Sequence, residues 1–278
     1  MSDTLARPKA PWAVRQVPPF PAIAQRILTL VSDEDVSTLQ LGELIKRDPS
    51  FSAETLRLAN SALFGCRREI TSLSQAIVVV GMNRVKTMAT VVAVSNMVRT
   101  SIRIESLRRI WSHSLATALI TEEIARAARI DRESAYAAGL LHNLGALGLM
   151  SAYPIEYARM LDVSVEFGFD LISTEQDLFE IDHCAAGAYL ARCWSFPDEL
   201  AAVIATHHDE PVAGDRSVHN VTRVGWRLAD SLGFAAFPSN REWSFEELAA
   251  FLPAAPGSWL TESAESARAE LDRRITPG

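Results

Sequence analysis

The chain has 278 residues, with 27 lysines and arginines against 34 aspartates and glutamates and a formal net charge of −7. Binding to nucleic-acid phosphates normally requires a one-sided basic surface, so this composition argues against a nucleic-acid-binding protein. The densest basic cluster, residues 99–109, is interrupted by Glu105 and is expected to be the solvated start of a helix. Three cysteines without metal-type spacing favour a reducing compartment and unpaired thiols.

The N-terminal segment, residues 1–17, is rich in proline and is expected to be a disordered or extended leader. It has no apolar segment of the kind found in signal peptides. The longest apolar stretches, residues 76–98 and 137–150, are interrupted by charges or too short to span a bilayer. The sequence therefore predicts a cytoplasmic protein that does not enter a membrane.

Apolar residues recur at helical spacings along most of the chain, and no pair of strands joined by a hairpin turn is apparent. Asn60 and Ser61 are expected to cap a helix end. One continuous helix is predicted for residues 134–150, and Asp182 is expected to be the N-cap of the helix that follows it. The other expected helices cover residues 22–31, 38–45, 50–60, 73–80, 85–98, 105–129, 153–167, 169–179, 183–194, 199–208, 217–232, 245–251 and 262–273.

A polar pair, His142 and Asn143, stands inside the uncharged apolar run 137–150. Burying a polar group without a partner costs about 1–3 kcal/mol, so this pair needs partners from elsewhere in the chain. Further histidines and one aspartate lie on or beside apolar helical faces: His113, His183, His207, His208 and Asp230. Imidazoles and carboxylates are the ligands that hold zinc, manganese or iron, so this set is a candidate metal cage.

A lone buried histidine is more often a hydrogen-bonded core residue than a ligand, and that alternative stays open for each position. Neighbours on a helix point about 100° apart, so His207 and His208 reach one centre only if the helix ends there. The sequence from Asp209 to Pro211 indicates such an end, although one of the two could instead face solvent. His219 fits no part of the pattern and is expected at the surface.

The order of motifs resembles the HDOD family, a branch of the HD superfamily of metal-dependent phosphohydrolases. The resemblance covers about residues 18–235. The N-terminal matches are PFPA at 19–22, IKRDPS at 45–50, LRLANSA at 56–62 with Phe64-Gly65, and ITSLSQAI at 70–77. The C-terminal matches are WSHS at 111–114, GLLHNLG at 139–145, DHCAAG at 182–187, Trp194 and His207-His208.

The resemblance implies an all-α fold, a multi-helix HD-like bundle with an N-terminal helical lobe packed on it. It divides the chain into the leader 1–17, an N-terminal lobe at 18–100, an HD-like lobe at 101–235 and a helical tail at 236–278. It also implies that His113, the doublet His142-Asn143, His183, the pair His207-His208 and Asp230 occupy the positions of the catalytic pocket.

At three points the sequence departs from the hydrolytic HD-GYP relatives. Asn143 replaces the aspartate of the His-Asp doublet, and a neutral amide oxygen binds a cation less well than a carboxylate. Ala146 stands where the relatives have a lysine after the doublet. Asp209-Glu210-Pro211-Val212 follows His208 in place of a Gly-Tyr-Pro loop. Each departure argues against turnover of a cyclic dinucleotide, and no catalytic residue is assigned.

The sequence therefore predicts a non-catalytic bacterial signalling or scaffold module that acts through protein–protein contacts. The resemblance links such modules to cyclic-di-GMP or two-component signalling. Two alternatives remain open: a residual metal-dependent phosphohydrolase, and a nucleotide-binding receptor without turnover. No cofactor is expected, although His113, His142, His183, His207, His208 and Asp230 could hold a single iron, manganese or zinc ion at low occupancy.

Overall fold

A computed structural model of the chain describes residues 11–17, 22–31, 37–46, 70–80, 105–194, 196–237, 241–253, 258–260 and 262–275, with the separate positions Ser52, Leu56, Ala59 and Asn60. Within these ranges the protein is helical and contains no strand, which confirms the all-α prediction. The helices expected at 50–60 and 85–98 lie wholly or largely outside the described residues.

The helices are numbered in chain order over the described part of the chain. They are α1 (Ala22–Val31), α2 (Thr38–Ile45), α3 (Leu73–Val80), α4 (Glu105–Ala128), α5 (Arg132–Leu141), α6 (Leu144–Ala152), α7 (Pro154–Phe167), α8 (Leu171–Phe179), α9 (His183–Cys193), α10 (Asp198–Thr206), α11 (Val218–Ala229), α12 (Phe245–Ala249) and α13 (Ala264–Ile275). A short π turn, Asp230–Phe234, follows α11 directly.

The long helix α4 is the centre of one layer, because α5 and α11 pack along it. Its buried stripe includes His113, Thr117 and Ile120, as the helical period predicts. A second layer consists of α6, α9 and α10, with α9 between the other two. Side-chain carboxylates and a hydroxyl begin the helices around these layers: Asp131, Asp170, Asp182 and Ser217 each accept a hydrogen bond from a backbone N–H in the first turn.

The helix predicted for residues 134–150 is in fact two helices, interrupted at His142 and Asn143. The Nδ1 of His142 lies 2.7 Å from the carbonyl oxygen of Gly139, three residues earlier, so the side chain bonds to the backbone of its own helix. Asn143 then adopts φ −92° and ψ 20°, which is not helical. The break lets α6 leave the axis of α5 and cross α9.

The N-terminal helices pack on one another, α1 on α2 and α2 on α3, and their buried side chains join the same hydrophobic cluster as those of α4 to α13. Asn60 has the structural role expected of it: its Nδ2 donates to the carbonyls of Leu56 and Ile70, and its Oδ1 accepts from the N–H of Ile70. Ser61 lies outside the described residues.

The end of the expected leader differs from the prediction. Trp12–Gln16 forms a 3-10 turn that packs on α6, with Ala13 and Val14 buried. The ring of Trp12 meets that of Tyr153 edge-on at 5.7 Å, which gives this segment an apolar anchor that its proline content does not reveal.

At the other end of the chain, α13 packs on α4 and on the π turn. None of the helices in the described ranges is both long and apolar enough to cross a membrane.

Gly145 and Gly187 allow α6 and α9 to approach backbone to backbone. A Cβ added at Gly145 would lie 1.9 Å from the carbonyl oxygen of His183 and 2.5 Å from the nitrogen of Gly187. Since the obstacle is backbone, a side chain there requires the two helices to move apart.

We expect Gly145→Ala to lower the free energy of unfolding by about 3 kcal/mol or more, because the methyl group overpacks this crossing. Chemical denaturation measures the change. Gly168→Ala is the matched control, since Gly168 has φ +66° with nothing within 4 Å and its substitution strains only the backbone. An equal or smaller loss at Gly145 would contradict the close approach.

Candidate functional site

The structure brings all seven candidate residues together. His113 projects from α4, His142 and Asn143 occupy the break between α5 and α6, and His183 begins α9. His207 and His208 directly follow α10, and Asp230 directly follows α11. The five imidazole rings form a chain of contacts with centroids 4.4 to 5.3 Å apart. His219, expected at the surface, is partly exposed and does not belong to this histidine cluster.

In the first half of the cluster, formed by His113 and His142, two ring nitrogens that carry no hydrogen face each other. The Nδ1 of His113 lies 3.0 Å from the carbonyl oxygen of Phe234, and the Nδ1 of His142 lies 2.7 Å from that of Gly139. A carbonyl only accepts, so each Nδ1 carries the hydrogen and each Nε2 is left with a lone pair. The two Nε2 atoms are 3.2 Å apart. Such an arrangement calls for a positive charge between them, either a shared proton or a cation.

In the second half, a buried carboxylate fixes His183. The Oε2 of Glu175 accepts from the backbone N–H of His183 at 2.8 Å and from its Nδ1 at 2.7 Å, while the Oε1 accepts from the hydroxyl of Tyr157. The Nε2 of His183 then lies 3.0 Å from the Nε2 of His208. A carboxylate on the far nitrogen is the usual way in which proteins orient a metal-binding histidine.

His207 connects the two halves. Its ring contacts those of His142 and His183, and its Nδ1 lies 2.8 Å from the carbonyl oxygen of Ile204. Its Nε2 is buried and has no hydrogen-bond partner. An imidazole nitrogen that is held bare in the interior is costly unless it binds something.

Three side chains of α11 fix the end of α10, where the helix leaves carbonyls without intrahelical partners. The Nε of Arg223 donates to the carbonyl of Thr206 at 3.1 Å, the Nε1 of Trp226 to that of His207 at 2.7 Å, and the Nη2 of Arg227 to that of His208 at 2.9 Å. The helix therefore ends at Thr206, two residues before the predicted end, and both His207 and His208 face the cluster.

The two oxygen-bearing candidates are less well placed for a cation. Asn143 is almost fully buried and neutral, and its Nδ2 has no partner. Asp230 lies with its Oδ1 3.2 Å from the Nδ1 of His113, on the edge of the ring opposite to its Nε2. That contact is not aligned as a hydrogen bond, since the same oxygen lacks a hydrogen-bond partner. Asp230 thus sits behind His113 rather than beside the facing nitrogens.

Burial sets the protonation of most of the cluster. It lowers the pKa of His142 and of His207 well below the ordinary value, and the neighbouring histidines add to the effect. Burial and the charge of His183 lower the pKa of His208 to about 2. For His183, burial opposes the charged ring, but Glu175 and Cys184 outweigh it and hold the pKa well above the ordinary value. His183 is therefore an imidazolium beside the neutral rings of His207 and His208.

These donors fit a divalent cation. Two imidazole nitrogens that bind one zinc ion at about 2.0–2.1 Å are about 3.3 Å apart, close to the 3.2 Å and 3.0 Å of the two facing pairs. The unpartnered Nε2 of His207 is a further donor in the same place. The residues that could hold a metal are thus the five histidines, and such an ion would supply a Lewis acid to this pocket.

The cluster opens into a cavity of about 140 Å³, lined by six of the seven candidates and by Leu171, Arg227 and Trp243 among others. A neighbouring cavity of about 410 Å³ shares Trp226, Arg227 and Trp243 with it. The guanidinium carbon of Arg227 lies 4.4 Å from the centroid of Trp226 and 5.7 Å from that of Trp243.

Reasoning from the sequence missed three contributors. Glu175 and Tyr157 orient His183, and Cys184 places its Sγ 3.8 Å from the Nδ1 of His207. The signal for Glu175 is its position in the buried stripe of α8, four residues after Leu171 and four before Phe179. Cys184 directly follows His183 in the chain, but only the return of α10 brings His207 to it.

The comparison with known families identifies the class of protein to which this all-α bundle with its histidine-lined pocket belongs. The HDOD domain pattern matches residues 17–210, so the chain belongs to the HDOD family, as its motifs indicate. A curated relative, an uncharacterized protein of Treponema pallidum (strain Nichols), is 24% identical over 202 residues. The match covers 72% of this chain but only 39% of that protein, so this chain spans about two fifths of its length.

Solved structures share the fold. An HDOD domain protein of unknown function from Geobacter sulfurreducens superposes with a TM-score of 0.71 at 24% identity, covering 94% of this chain and 93% of that one. A candidate phosphohydrolase from Shewanella amazonensis SB2B gives 0.70 at 23% identity, covering 95% and 96%. A candidate signal transduction protein from Marinobacter aquaeolei VT8 gives 0.65 at 22% identity, covering 94% and 60%.

We expect metal-free protein to lose stability as the pH falls below about 6.5, because His142 stays neutral when folded but takes a proton when unfolded. Each such histidine contributes about 1.4 kcal/mol per pH unit. Denaturation at pH 7, 6 and 5 measures how the free energy of unfolding changes with pH. That change should be smaller in His142→Gln than in wild type by about 1.4 kcal/mol per pH unit, and His219→Gln is the control. Equal slopes in wild type and His142→Gln would contradict the assignment.

We expect Glu175→Gln to discharge His183, because burial then acts on the imidazolium without the carboxylate that offsets it. Nitrogen-15 NMR of the histidine rings in metal-free protein at pH 7 should show a charged ring at His183 in wild type and a neutral ring at His183 in the variant. Glu166→Gln, at an exposed position of α7, is the control. A ring of His183 that stays charged in Glu175→Gln would rule out Glu175 as the cause.

Proposed function

We propose that this chain is a non-hydrolysing signal-transduction module that acts through protein–protein contacts, with the histidine cluster kept as a buried polar centre. The observation that carries the proposal is Asn143, a buried amide at the position that the hydrolytic relatives fill with a carboxylate. The HDOD family and its HD-like fold are the starting point, and Asn143 distinguishes this chain from a hydrolase of that fold.

The chemistry of Asn143 supports the absence of turnover. A hydrolytic pair of metal ions needs an anionic oxygen that both ions share, because their charges repel. The amide of Asn143 brings no charge, and Asp230 lies on the Nδ1 side of His113, away from the facing nitrogens. A bridging carboxylate is therefore missing from this arrangement of the described residues.

The surface of α7 and α8 supports a role in contacts. Large apolar side chains are exposed around the turn at Gly168, and the rings of Phe167 and Phe169 stack there at 5.7 Å. This apolar surface consists of Val163, Phe167 and Phe169, and Leu178 is exposed farther along α8. An exposed apolar patch of this kind often marks a protein interface. The turn at Gly168 leads directly into α8, the helix that carries Glu175.

The proposal is tested by two measurements on the full chain. With manganese, iron or zinc added, it should hydrolyse neither bis-p-nitrophenyl phosphate nor a cyclic dinucleotide above the rate of the metal alone. Turnover that disappears in His142→Ala would overturn the proposal. In the second measurement, a partner found by co-purification and mass spectrometry should lose binding to a Phe167→Ser/Phe169→Ser variant but not to Val212→Ser, a control at another exposed apolar position.

A residual phosphohydrolase is the alternative that the facing nitrogens of His113 and His142 favour, since one metal ion between them could activate water. Elemental analysis of protein purified without chelator, followed by the hydrolysis assay, decides between the two. We expect Asn143→Asp to raise the metal content by restoring an anionic ligand. Wild-type protein that is both metal-loaded and hydrolytic would establish the alternative.

A nucleotide receptor without turnover is favoured by a different observation, the two cavities lined by Trp226, Trp243, Arg227 and Arg241. Tryptophan faces stack on planar rings, and guanidinium groups bind phosphate oxygens. Isothermal titration with a panel of nucleotides tests this function. Binding that is lost in Trp243→Ala would support it, and the absence of heat with every nucleotide would exclude it.

A further inference from the structure

The second half of the histidine cluster contains a donor that the HD-type motif does not supply, the thiol of Cys184. One ligand atom from each of His183, Cys184, His207 and His208 lies within 4.8 Å of the ligand atom of every other one. The Nε2 atoms of His183 and His208 are 3.0 Å apart, close to the nitrogen–nitrogen edge of about 3.3 Å in a tetrahedral zinc site. The Sγ of Cys184 lies beside the ring of His207, 3.8 Å from its Nδ1. That Nδ1 bonds to the carbonyl of Ile204, which leaves the Nε2 of His207 as its ligand atom.

We infer that His183, Cys184, His207 and His208 form a closed four-ligand site for a zinc-like cation. A donor set of three imidazoles and one thiolate binds zinc in preference to harder cations such as magnesium. On binding, the thiol of Cys184 and the Nε2 of the charged His183 ring each release a proton to solvent, and the thiolate and the neutral imidazole become ligands. The unpartnered Nε2 of His207 is a second, independent sign that this part of the interior is built to hold a ligand.

Charge favours this half over the other. The positive charges of a divalent ion are balanced here by the Cys184 thiolate and by Glu175, a fully buried carboxylate whose Oε2 lies 2.7 Å from the Nδ1 of His183. Around His113 and His142, the oxygen donors are the neutral amide of Asn143 and the carboxylate of Asp230, which lies behind His113. A divalent cation in the cluster is therefore stabilised most by negative charge when it lies between His183, Cys184, His207 and His208.

Such a site joins the start of α9 to the end of α10. Because four protein ligands complete a tetrahedron, no position is left for a reactive water, and the ion acts as a structural link. The inference goes beyond the proposed function and is separable from it: hydrolytic activity would overturn that function, whereas the metal site is judged by spectroscopy.

Cobalt(II) is the probe, added to the reduced, metal-free full chain. We expect a thiolate-to-cobalt charge-transfer band in the near ultraviolet that saturates at one equivalent, together with the strong visible bands of four-coordinate cobalt. Cys184→Ser should abolish the charge-transfer band and weaken zinc binding by at least about tenfold. Cys193→Ser, at an exposed cysteine of the same helix, should leave both unchanged.

A wild-type protein without the charge-transfer band, or a Cys184→Ser protein that retains it, would overturn the inference. A second measurement needs no variant. Zinc should protect Cys184 from alkylation by iodoacetamide while Cys193 reacts with or without the metal, as read by mass spectrometry of the peptides. Equal alkylation of Cys184 in the presence and absence of zinc would also overturn the site.

Discussion

The buried ion pair between Glu175 and His183 is the interaction on which the pocket depends. Five imidazole rings share a small volume, and burial keeps those of His142, His207 and His208 neutral. A carboxylate in the interior is costly unless it is paired and hydrogen-bonded, and Glu175 satisfies both conditions through Tyr157 and His183. The pair in turn sets where α9 begins, because the same carboxylate accepts from the first N–H of that helix.

The two halves of the cluster differ in the acidic groups that lie beside their histidines. In the half with His113 and His142 the Nε2 atoms face each other, and Asp230 lies on the Nδ1 side of His113. The half with His183 and His208 has a carboxylate behind one ring and a thiol beside the other residues. Metal affinity and hydrolysis are therefore separate questions in this protein, because the ligands that favour binding are not those that a bridged pair of ions needs.

Much of the site could be predicted from the sequence, since each of the five histidines stands in or at the edge of an apolar helical pattern. The break at His142 could not, because it depends on a side chain competing for the carbonyl of Gly139 and on the approach of α9 at Gly145. The role of Glu175 could not be predicted either, because a carboxylate in an apolar stripe does not indicate which residue it pairs with. Only the fold shows that its partner is His183. Long-range pairing is what periodicity leaves undetermined.

Arg227 has a consequence for how the pocket communicates with the surface. Its guanidinium rests against Trp226 at the wall shared by the two cavities, and the same group holds the carbonyl of His208. Its Nε has no partner of its own. A molecule that binds at this wall and pairs with the guanidinium of Arg227 would break its hydrogen bond to the carbonyl of His208. Binding at the opening of the pocket would then change the orientation of the His208 imidazole.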